Sequence, residues 1–179
     1  MHVIRQIGPL LLATAILLGF FGLWVDRFFT LDNLLNLLQQ ISVNAILAFG
    51  MTLTILIGGI DLSVGAVLAL VGTLTVYLLT QLTPMMPPFL ALGISIGAGL
   101  LAAALFGLFN GLCAAKTRMP AFIITLATMQ IARGGAYCFN QARPIPVPDK
   151  QEIFLTLGNG YLFGHFPVPV LVMFVFFIL

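Results

Sequence analysis

Long apolar runs separated by short polar stretches dominate the chain and predict an all-α, polytopic membrane protein. The first run, from about Ile7 to Val25, has close to the roughly 20 residues that a helix needs to cross a bilayer. Further helices are predicted from about Asn33 onward and at about 65–82, 89–115 and 120–139. A last apolar run, 168–179, is too short to span. The pattern predicts about five to six transmembrane helices within one incomplete transmembrane domain, 1–179, that ends inside the sixth.

Amide side chains recur along one face of the second predicted helix. Asn33, Asn36, Gln40 and Asn44 are spaced by three or four residues, as one stripe of a helix would be. The stripe has two interpretations: a lead-in helix whose amides face lipid headgroups, or a surface facing a water-filled path or a partner helix. Too few residues separate Asn44 from Gly58 to cross a membrane, so this helix either starts near Asn33 or stops inside the bilayer.

The segment Gly58–Gly65, with the sequence GGIDLSVG, interrupts the longest apolar stretch. Asp61 is the only formally charged residue between Asn33 and Ala115. A carboxylate at the centre of a membrane helix costs about 2.5–3.5 kcal/mol on insertion scales, and each Gly costs about 1 kcal/mol of helix propensity relative to Ala. Such a sequence predicts a broken helix whose polar groups face protein or water. This break is the leading candidate for a functional element.

Small residues repeat at every fourth position of the fourth predicted helix. Gly99, Ala103, Gly107 and Gly111 would lie on one face and let another helix approach closely, so we predict a helix-packing role for them. Asn110 lies beside this ladder and is predicted to form a hydrogen bond between helices in preference to contacting a ligand.

The fifth predicted helix carries Thr125, Thr128, Gln130 and Arg133. Arg133 lies roughly 20 Å along the helix from Pro120, so it can extend its side chain to the far interface, which is the favoured interpretation. In the alternative, Arg133 pairs with Asp61. The following segment, 140–169, is predicted to lie outside the membrane, with an extended proline-rich start and a solvated stretch at 149–152.

Composition agrees with the pattern and excludes several classes of protein. The chain of 179 residues is 61% hydrophobic and 7% charged, whereas soluble domains carry about a quarter charged residues. The seven basic residues are scattered, so nothing supports nucleic-acid binding. No metal-ligand spacing and no phosphate-binding loop occur, and Cys113 and Cys138 are predicted to be too far apart for a disulfide. Lys and Arg divide evenly between the two sides of the membrane, which leaves the orientation open.

Several motifs together resemble the permease subunits of sugar ABC importers, such as those for ribose, xylose and autoinducer-2. The resemblance runs from about Phe28 onward, and its strongest signal is the break sequence GGIDLSVG after the run Asn44–Ile57. The other matching stretches are Phe109–Leu112, Pro120–Met129, Ala132–Gly134 and Arg143–Ile145.

The resemblance implies a fold and a set of partners. Such permeases have roughly ten helices and a cytoplasmic N-terminus, so this chain would be the N-terminal half, in a bacterial inner membrane. It would pair with a second permease subunit, a cytoplasmic ATP-binding subunit that uses ATP, and a periplasmic sugar-binding protein. The chain itself would need no cofactor and would catalyse no reaction. The proline-rich loop would face the periplasm, and the break would lie toward the cytoplasm.

The leading hypothesis is therefore a permease subunit that moves a ribose-like monosaccharide by alternating access, with polar side chains replacing the water around the solute. One alternative is an ion-coupled secondary transporter in which the broken helix and Asp61 hold the coupling ion. Another is a truncated membrane fragment that does not transport. The residues expected in the substrate pathway or in gating are Asn44, Thr52, Gly58, Gly59, Asp61, Ser63, Gly65 and Asn110.

Overall fold

A computed structural model describes residues 2–117, 119–141, 143–162 and 166–178, with side chains from Ile7 onward. The described residues form seven helices and one antiparallel two-stranded ribbon that pairs Tyr161 with Pro167 and Leu162 with Phe166. The predicted all-α class is confirmed. In chain order the elements are α1 His2–Trp24, α2 Leu31–Leu56, α3 Val64–Leu82, α4 Pro88–Thr117, α5 Ala121–Asn140, α6 Glu152–Asn159, β1 Tyr161–Leu162, β2 Phe166–Pro167 and α7 Val168–Ile178.

Four of the described helices are long and apolar enough to cross a membrane: α1 from Ile7, α2, α3 and α4. The chain is therefore a multi-pass membrane protein. Helix α5 has 20 residues but lower hydropathy, because Gln130 and Arg133 lie within it. Helix α7 is apolar throughout and has 11 residues, fewer than the roughly 20 that a span requires.

Helix α2 begins at Leu31, which confirms the prediction of a helix that starts near Asn33. Thr30 acts as the N-cap, because its hydroxyl oxygen accepts a 3.4 Å hydrogen bond from the backbone N–H of Asn33. The Asn33 side chain donates to the Phe28 carbonyl at 2.7 Å. Further along the stripe, Asn36 Oδ1 accepts a 3.3 Å hydrogen bond from the Tyr161 hydroxyl. These amides therefore stabilise the start of α2.

The chain divides into two compact units, residues 1–43 with 161–179 and residues 44–160. In the second unit α3 packs against both α4 and α5, and Ala66, Leu70 and Ala132 form a buried apolar cluster. Small residues permit this approach. A Cβ atom at Gly135 would lie 3.1 Å from Leu70 Cδ1, and one at Gly99 would collide with the Thr75 hydroxyl.

The segment predicted as extramembrane loop, 140–169, contains more structure than the sequence indicated. It includes α6 and the ribbon. The prediction that residues 149–152 are solvated is wrong for Gln151, whose side chain is 2% exposed. Gln151 Nε2 donates to Thr83 Oγ1 at 2.9 Å and to the Pro88 carbonyl at 3.3 Å. Val147 and Phe154 pack on a buried apolar cluster of α3 and α4. The loop is thus fastened over the turn between α3 and α4.

Replacing Gln151 should release this loop from the bundle. Gln151→Ala removes both hydrogen bonds at a buried position, and such losses cost about 1–3 kcal/mol. We expect amide hydrogen exchange in α6 to accelerate by about tenfold or more. The exposed neighbouring residue supplies the control, Glu152→Ala, which should leave exchange near the wild-type rate. Equal exchange in the two variants would show that Gln151 does not hold the loop.

Candidate functional site

The break begins where Gly58 ends α2 in a left-handed conformation. Its φ of +79° is available to Gly without the steric cost that a Cβ would impose. Gly58 N–H donates to the Ile55 carbonyl at 2.9 Å, and Gly59 N–H donates to the Thr54 carbonyl at 3.0 Å. These two bonds form a Schellman motif, which satisfies the last carbonyl groups of the helix. The break is therefore a specific helix termination.

The other glycines of the break have different surroundings. A Cβ at Gly59 would lie 3.4 Å from Thr54 Cγ2 and 3.6 Å from Ala121 Cβ, because the start of α5 comes close here. Gly65 lies in the first turn of α3, and a Cβ there would meet no atom within 4 Å. Only Gly58 is held in a conformation that favours glycine.

Asp61 stabilises the start of α3. Its Oδ1 accepts hydrogen bonds from the backbone N–H of Ser63 at 2.7 Å and from the Ser63 hydroxyl at 2.6 Å. A side chain that bonds the backbone two residues on is an Asx turn, and the positive end of the α3 dipole favours the negative charge. The alternative pairing with Arg133 is not formed: in the described chain no ion pair joins the two residues, and Arg133 lies on an exposed face of α5.

Two further helices hold the break by hydrogen bonds. Asn110 Nδ2, on α4, donates to Ser63 Oγ at 3.0 Å, so the predicted hydrogen bond from Asn110 to another helix is confirmed. Thr125, on α5, is 3% exposed. Its hydroxyl accepts a hydrogen bond from the Leu62 N–H at 3.1 Å and donates one to the Ile60 carbonyl at 3.3 Å. Two backbone groups of the break and the Ser63 hydroxyl are thus bonded by side chains more than 40 residues away in sequence.

Thr125 is a site residue that was not predicted from the sequence. A threonine in a helix commonly bonds a carbonyl of its own preceding turn, and Thr128 does so at 3.3 Å from the Ile124 carbonyl. Their positions along the helix could not show that Thr125, and not Thr128, bonds to the break. The only sequence signal for Thr125 is its position inside the matching stretch Pro120–Met129.

Two cavities meet at the break, and Asp61, Gly107 and Asn110 line both. One cavity, of about 350 Å³, runs between α3 and α4 and is bordered mainly by apolar side chains such as Val67, Val71 and Phe106. The other, of about 440 Å³, is more polar. Its lining includes Thr54, Gly58, Gly59, Ile60, Gly111, Ala114, Ala121 and Thr125.

The structure brings some of the predicted site residues together and separates others. Gly58, Gly59, Asp61, Ser63 and Asn110 lie at or beside these cavities. Gly65 follows in the first turn of α3. Asn44 and Thr52 are exposed on α2, line neither cavity, and the Thr52 hydroxyl donates to the Ala48 carbonyl at 2.8 Å.

The members of the small-residue ladder also occupy different places. Gly99 faces Thr75 and Val71 of α3 at close range. Ala103 and Gly107 border the apolar cavity, and Gly107 and Gly111 border the polar one. A Cβ at Gly107 or Gly111 would have no atom within 4 Å in the described chain.

The charged groups at the site offer little to a metal ion. Across the described residues, no three His, Cys, Asp or Glu side chains come together in a way that could hold one. Of the residues with a described position, Asp61 is the single carboxylate that lines the two cavities. The site is thus built from one carboxylate, amide and hydroxyl groups, and backbone.

The helix termination gives a direct test of the break. Gly58→Ala should destabilise the protein by about 1–2 kcal/mol, because a Cβ in the left-handed region approaches the carbonyl oxygen that follows it. Gly65→Ala is the matched control, since it lies in a helix with open space around it and should be neutral or stabilising by about 0.5–1 kcal/mol. Thermal unfolding in detergent measures both. Equal midpoints for the two variants would contradict the assigned geometry.

Comparison with known proteins identifies what this chain resembles. A family model described as branched-chain amino acid transport system / permease component matches residues 33–179. The chain is 40% identical to a ribose import permease protein of Haemophilus influenzae, over 96% of this chain and 53% of that protein. It is 36% identical to a ribose import permease protein of Escherichia coli, over 94% of this chain and 50% of that protein.

An L-arabinose transport system permease protein of Escherichia coli is 35% identical, over 90% of this chain and 46% of its own length. The chain spans about half the length of these curated relatives. No solved structure matches it.

Proposed function

This chain belongs to the family of branched-chain amino acid transport system permease components, and we propose that it serves as a membrane-spanning permease subunit of an ABC importer for a monosaccharide. The observation that carries the proposal is the identity of 35–40% with permeases named for ribose and L-arabinose over at least 90% of this chain. The family description names amino acids, whereas these relatives are named for sugars.

The chemistry of the break favours a sugar over an amino acid. An amino acid carries a carboxylate and an ammonium group, each of which needs a charged or strongly polar partner when it leaves water. Among the residues that the structure describes, one carboxylate, Asp61, and no Lys or Arg line the cavities at the break. A neutral, hydroxyl-rich solute needs only hydrogen bonds, which amide, hydroxyl and backbone groups supply.

The subunit would work by alternating access and without covalent chemistry. Polar side chains would line a path along which a sugar exchanges water for protein hydrogen bonds. Asn44, Thr52, Asp61, Ser63 and Asn110 are the proposed pathway residues. We propose a role in gating the pathway for Gly58, Gly59 and Gly65. The proposed role of the small-residue ladder, Gly99, Ala103, Gly107 and Gly111, is close packing against other helices.

The proposed partners are a second permease subunit, a cytoplasmic subunit that binds and uses ATP, and a periplasmic sugar-binding protein. The proposed location is a bacterial inner membrane with the N-terminus in the cytoplasm. The break and the long loop lie at opposite ends of α3, as this orientation requires. The break lies at one end, beside Met119 and Ala121, and Gln151 fastens the 143–160 segment to the other end through Thr83. The break would then face the cytoplasm and the long loop the periplasm.

Energy coupling distinguishes the proposed importer from an ion-coupled transporter. Uptake of labelled D-ribose, L-arabinose and D-fructose would be measured in proteoliposomes that contain the complete importer with its binding protein. We expect uptake of at least one sugar to require ATP on the side of the ATP-binding subunit and to persist with a protonophore. Uptake that the protonophore abolishes, and that ATP does not support, would overturn the proposal in favour of ion coupling.

Neutralising Asp61 should lower transport while the protein still inserts into the membrane. Asp61→Asn keeps an oxygen that can accept from Ser63 but replaces charge-assisted hydrogen bonds, which are roughly twice as strong as neutral ones. We expect uptake to fall by roughly fivefold or more, after correction for the amount of protein in the membrane. Asp149→Asn, at an exposed carboxylate in the loop, is the control and should transport normally. Normal uptake by Asp61→Asn would remove Asp61 from the mechanism.

A further inference from the structure

Helix α5 runs beside α3 at the depth of a membrane span. Near the start of α5, Thr125 bonds to the break. Further along, Ala132 packs with Leu70 of α3 in a buried cluster, and near the end the Phe139 ring lies 5.4 Å from the Tyr77 ring. Because α3 is long and apolar enough to cross a membrane, the residues of α5 alongside it lie at membrane depth.

One face of α5 is packed against the bundle, and the opposite face is exposed. The buried residues are Ile124, Thr125, Thr128 and Ala132. Gln130, Arg133 and Tyr137 are exposed, and their spacing of three and four residues places them on one face of the helix. Gly134 lies on this face as well, and a Cβ there would meet no atom within 4 Å. The polar face of α5 is defined by these residues: Gln130, Arg133, Gly134 and Tyr137.

The polar face covers only the half of α5 that is farther from the break. In the first half, the exposed side chains on the same side of the helix are apolar and include Ile123 and Leu126. Beyond the polar face, Gln141 and Arg143 are exposed as well. Exposed polar side chains therefore continue from the middle of α5 into the segment that follows it. A face in contact with lipid would be apolar along its whole length.

Arg133 lies too deep for lipid headgroups to account for its position. Its neighbour Ala132 packs against Leu70, which lies twelve residues, or about 18 Å at 1.5 Å per residue, before the end of α3 at Leu82. Charged side chains at such depth are costly against lipid and almost always face a protein interior or a water-filled cavity. The carboxylate of Asp61 is bonded elsewhere. Since the polar side chains continue toward the end of the helix, water is the environment that suits this face.

We infer that the polar face of α5 lines a water-filled vestibule that opens on the side of the 143–160 segment, and that the positive charge of Arg133 excludes cations from it. The inference rests on the proposed function, in which a neutral solute must pass while ions must not. A fixed positive charge in a narrow aqueous path repels cations and exerts no net force on a neutral molecule. The guanidinium group is always charged, so this barrier is permanent.

The position of Arg133 relative to Asp61 gives the barrier a purpose. Asp61 lines both cavities at the break, and a path whose only charge was this carboxylate would attract cations. Ala121, in the first turn of α5, lines the polar cavity there, and Arg133 lies twelve residues farther along the same helix. A cation that enters from the side of the 143–160 segment would therefore meet Arg133 before it reached Asp61.

A reporter cysteine on the polar face tests the vestibule without measuring transport. Gly134→Cys is introduced into a chain whose native Cys113 and Cys138 are changed to Ser. Two membrane-impermeant reagents, the anionic sulfonatoethyl and the cationic trimethylammonioethyl methanethiosulfonate, are added on the side of the 143–160 segment. The vesicles hold the complete importer, with and without ATP, and each rate is divided by the rate for a small thiol in solution. We expect labelling in at least one condition, with the anionic reagent faster by about fivefold or more.

Ile131 supplies the matched control. It is exposed at nearly the same depth of α5 but borders an apolar cavity with Phe106 and Phe109. Ile131→Cys should react about tenfold more slowly than Gly134→Cys or less, because the reactive thiolate is disfavoured in apolar surroundings. Gln130→Cys is a second reporter on the polar face and replaces Gly134→Cys if that variant does not reach the membrane in normal amount.

Variants of Arg133 then test the charge. In the reporter chain, Arg133→Gln should bring the relative rates of the two reagents to within about twofold of each other. Arg133→Lys keeps the positive charge and should keep the preference for the anionic reagent. A purely structural role of Arg133 would alter the amount of protein or change both rates alike, and it would not separate the reagents by their charge.

Three results would overturn the inference. The first is resistance of Gly134→Cys and Gln130→Cys to both reagents in both conditions, which would show that lipid or protein covers the polar face. The second is equal labelling of Gly134→Cys and Ile131→Cys. The third is a preference for the anionic reagent that is absent, or that Arg133→Gln leaves unchanged. The proposed function is judged separately by ATP-driven uptake. Such uptake by an importer whose polar face stays unreactive would leave the importer in place and remove the vestibule.

Discussion

The need to satisfy backbone hydrogen-bonding groups inside an apolar environment is the constraint on which the rest of the structure depends. A helix meets this need internally, but a break between Leu56 and Val64 exposes the peptide groups at two helix ends. In this protein Gly58 and Gly59 close the first end through a Schellman motif, and Asp61 closes the second through Ser63. The break therefore has specific hydrogen bonds at both of its ends.

This requirement also explains why α4 and α5 pack beside the break. The peptide groups of residues 60–62 lie between the two caps, and Thr125 of α5 bonds to both ends of this stretch. Asn110 of α4 completes the set through Ser63. Small residues such as Gly99 and Gly135 let the backbones of α4 and α5 come close enough to α3 for these short side chains to reach. Helix packing and polar satisfaction therefore depend on one another.

The same geometry accounts for the properties of Asp61. A lone acid in an apolar run suggests either an ion site or a buried ion pair. In the structure, its Oδ1 accepts two short hydrogen bonds from Ser63 at the start of α3. Asp61 therefore has a structural role at the start of α3 and lines both cavities. Asn110, which donates to Ser63, keeps one buried oxygen without a partner among the described residues.

The sequence by itself determined the membrane class, most of the helices and the position of the break, because apolar runs, glycines and a single carboxylate are local signals with large energetic costs. It also indicated the family, through motifs that span the break and the helices on either side. Only the tertiary structure decided which polar groups meet. Thr125, Asn110 and Gln151 find partners far away in sequence, and Arg133 does not pair with Asp61. Helical periodicity places a side chain on a face of its own helix, but the packing of other helices decides what that face contacts.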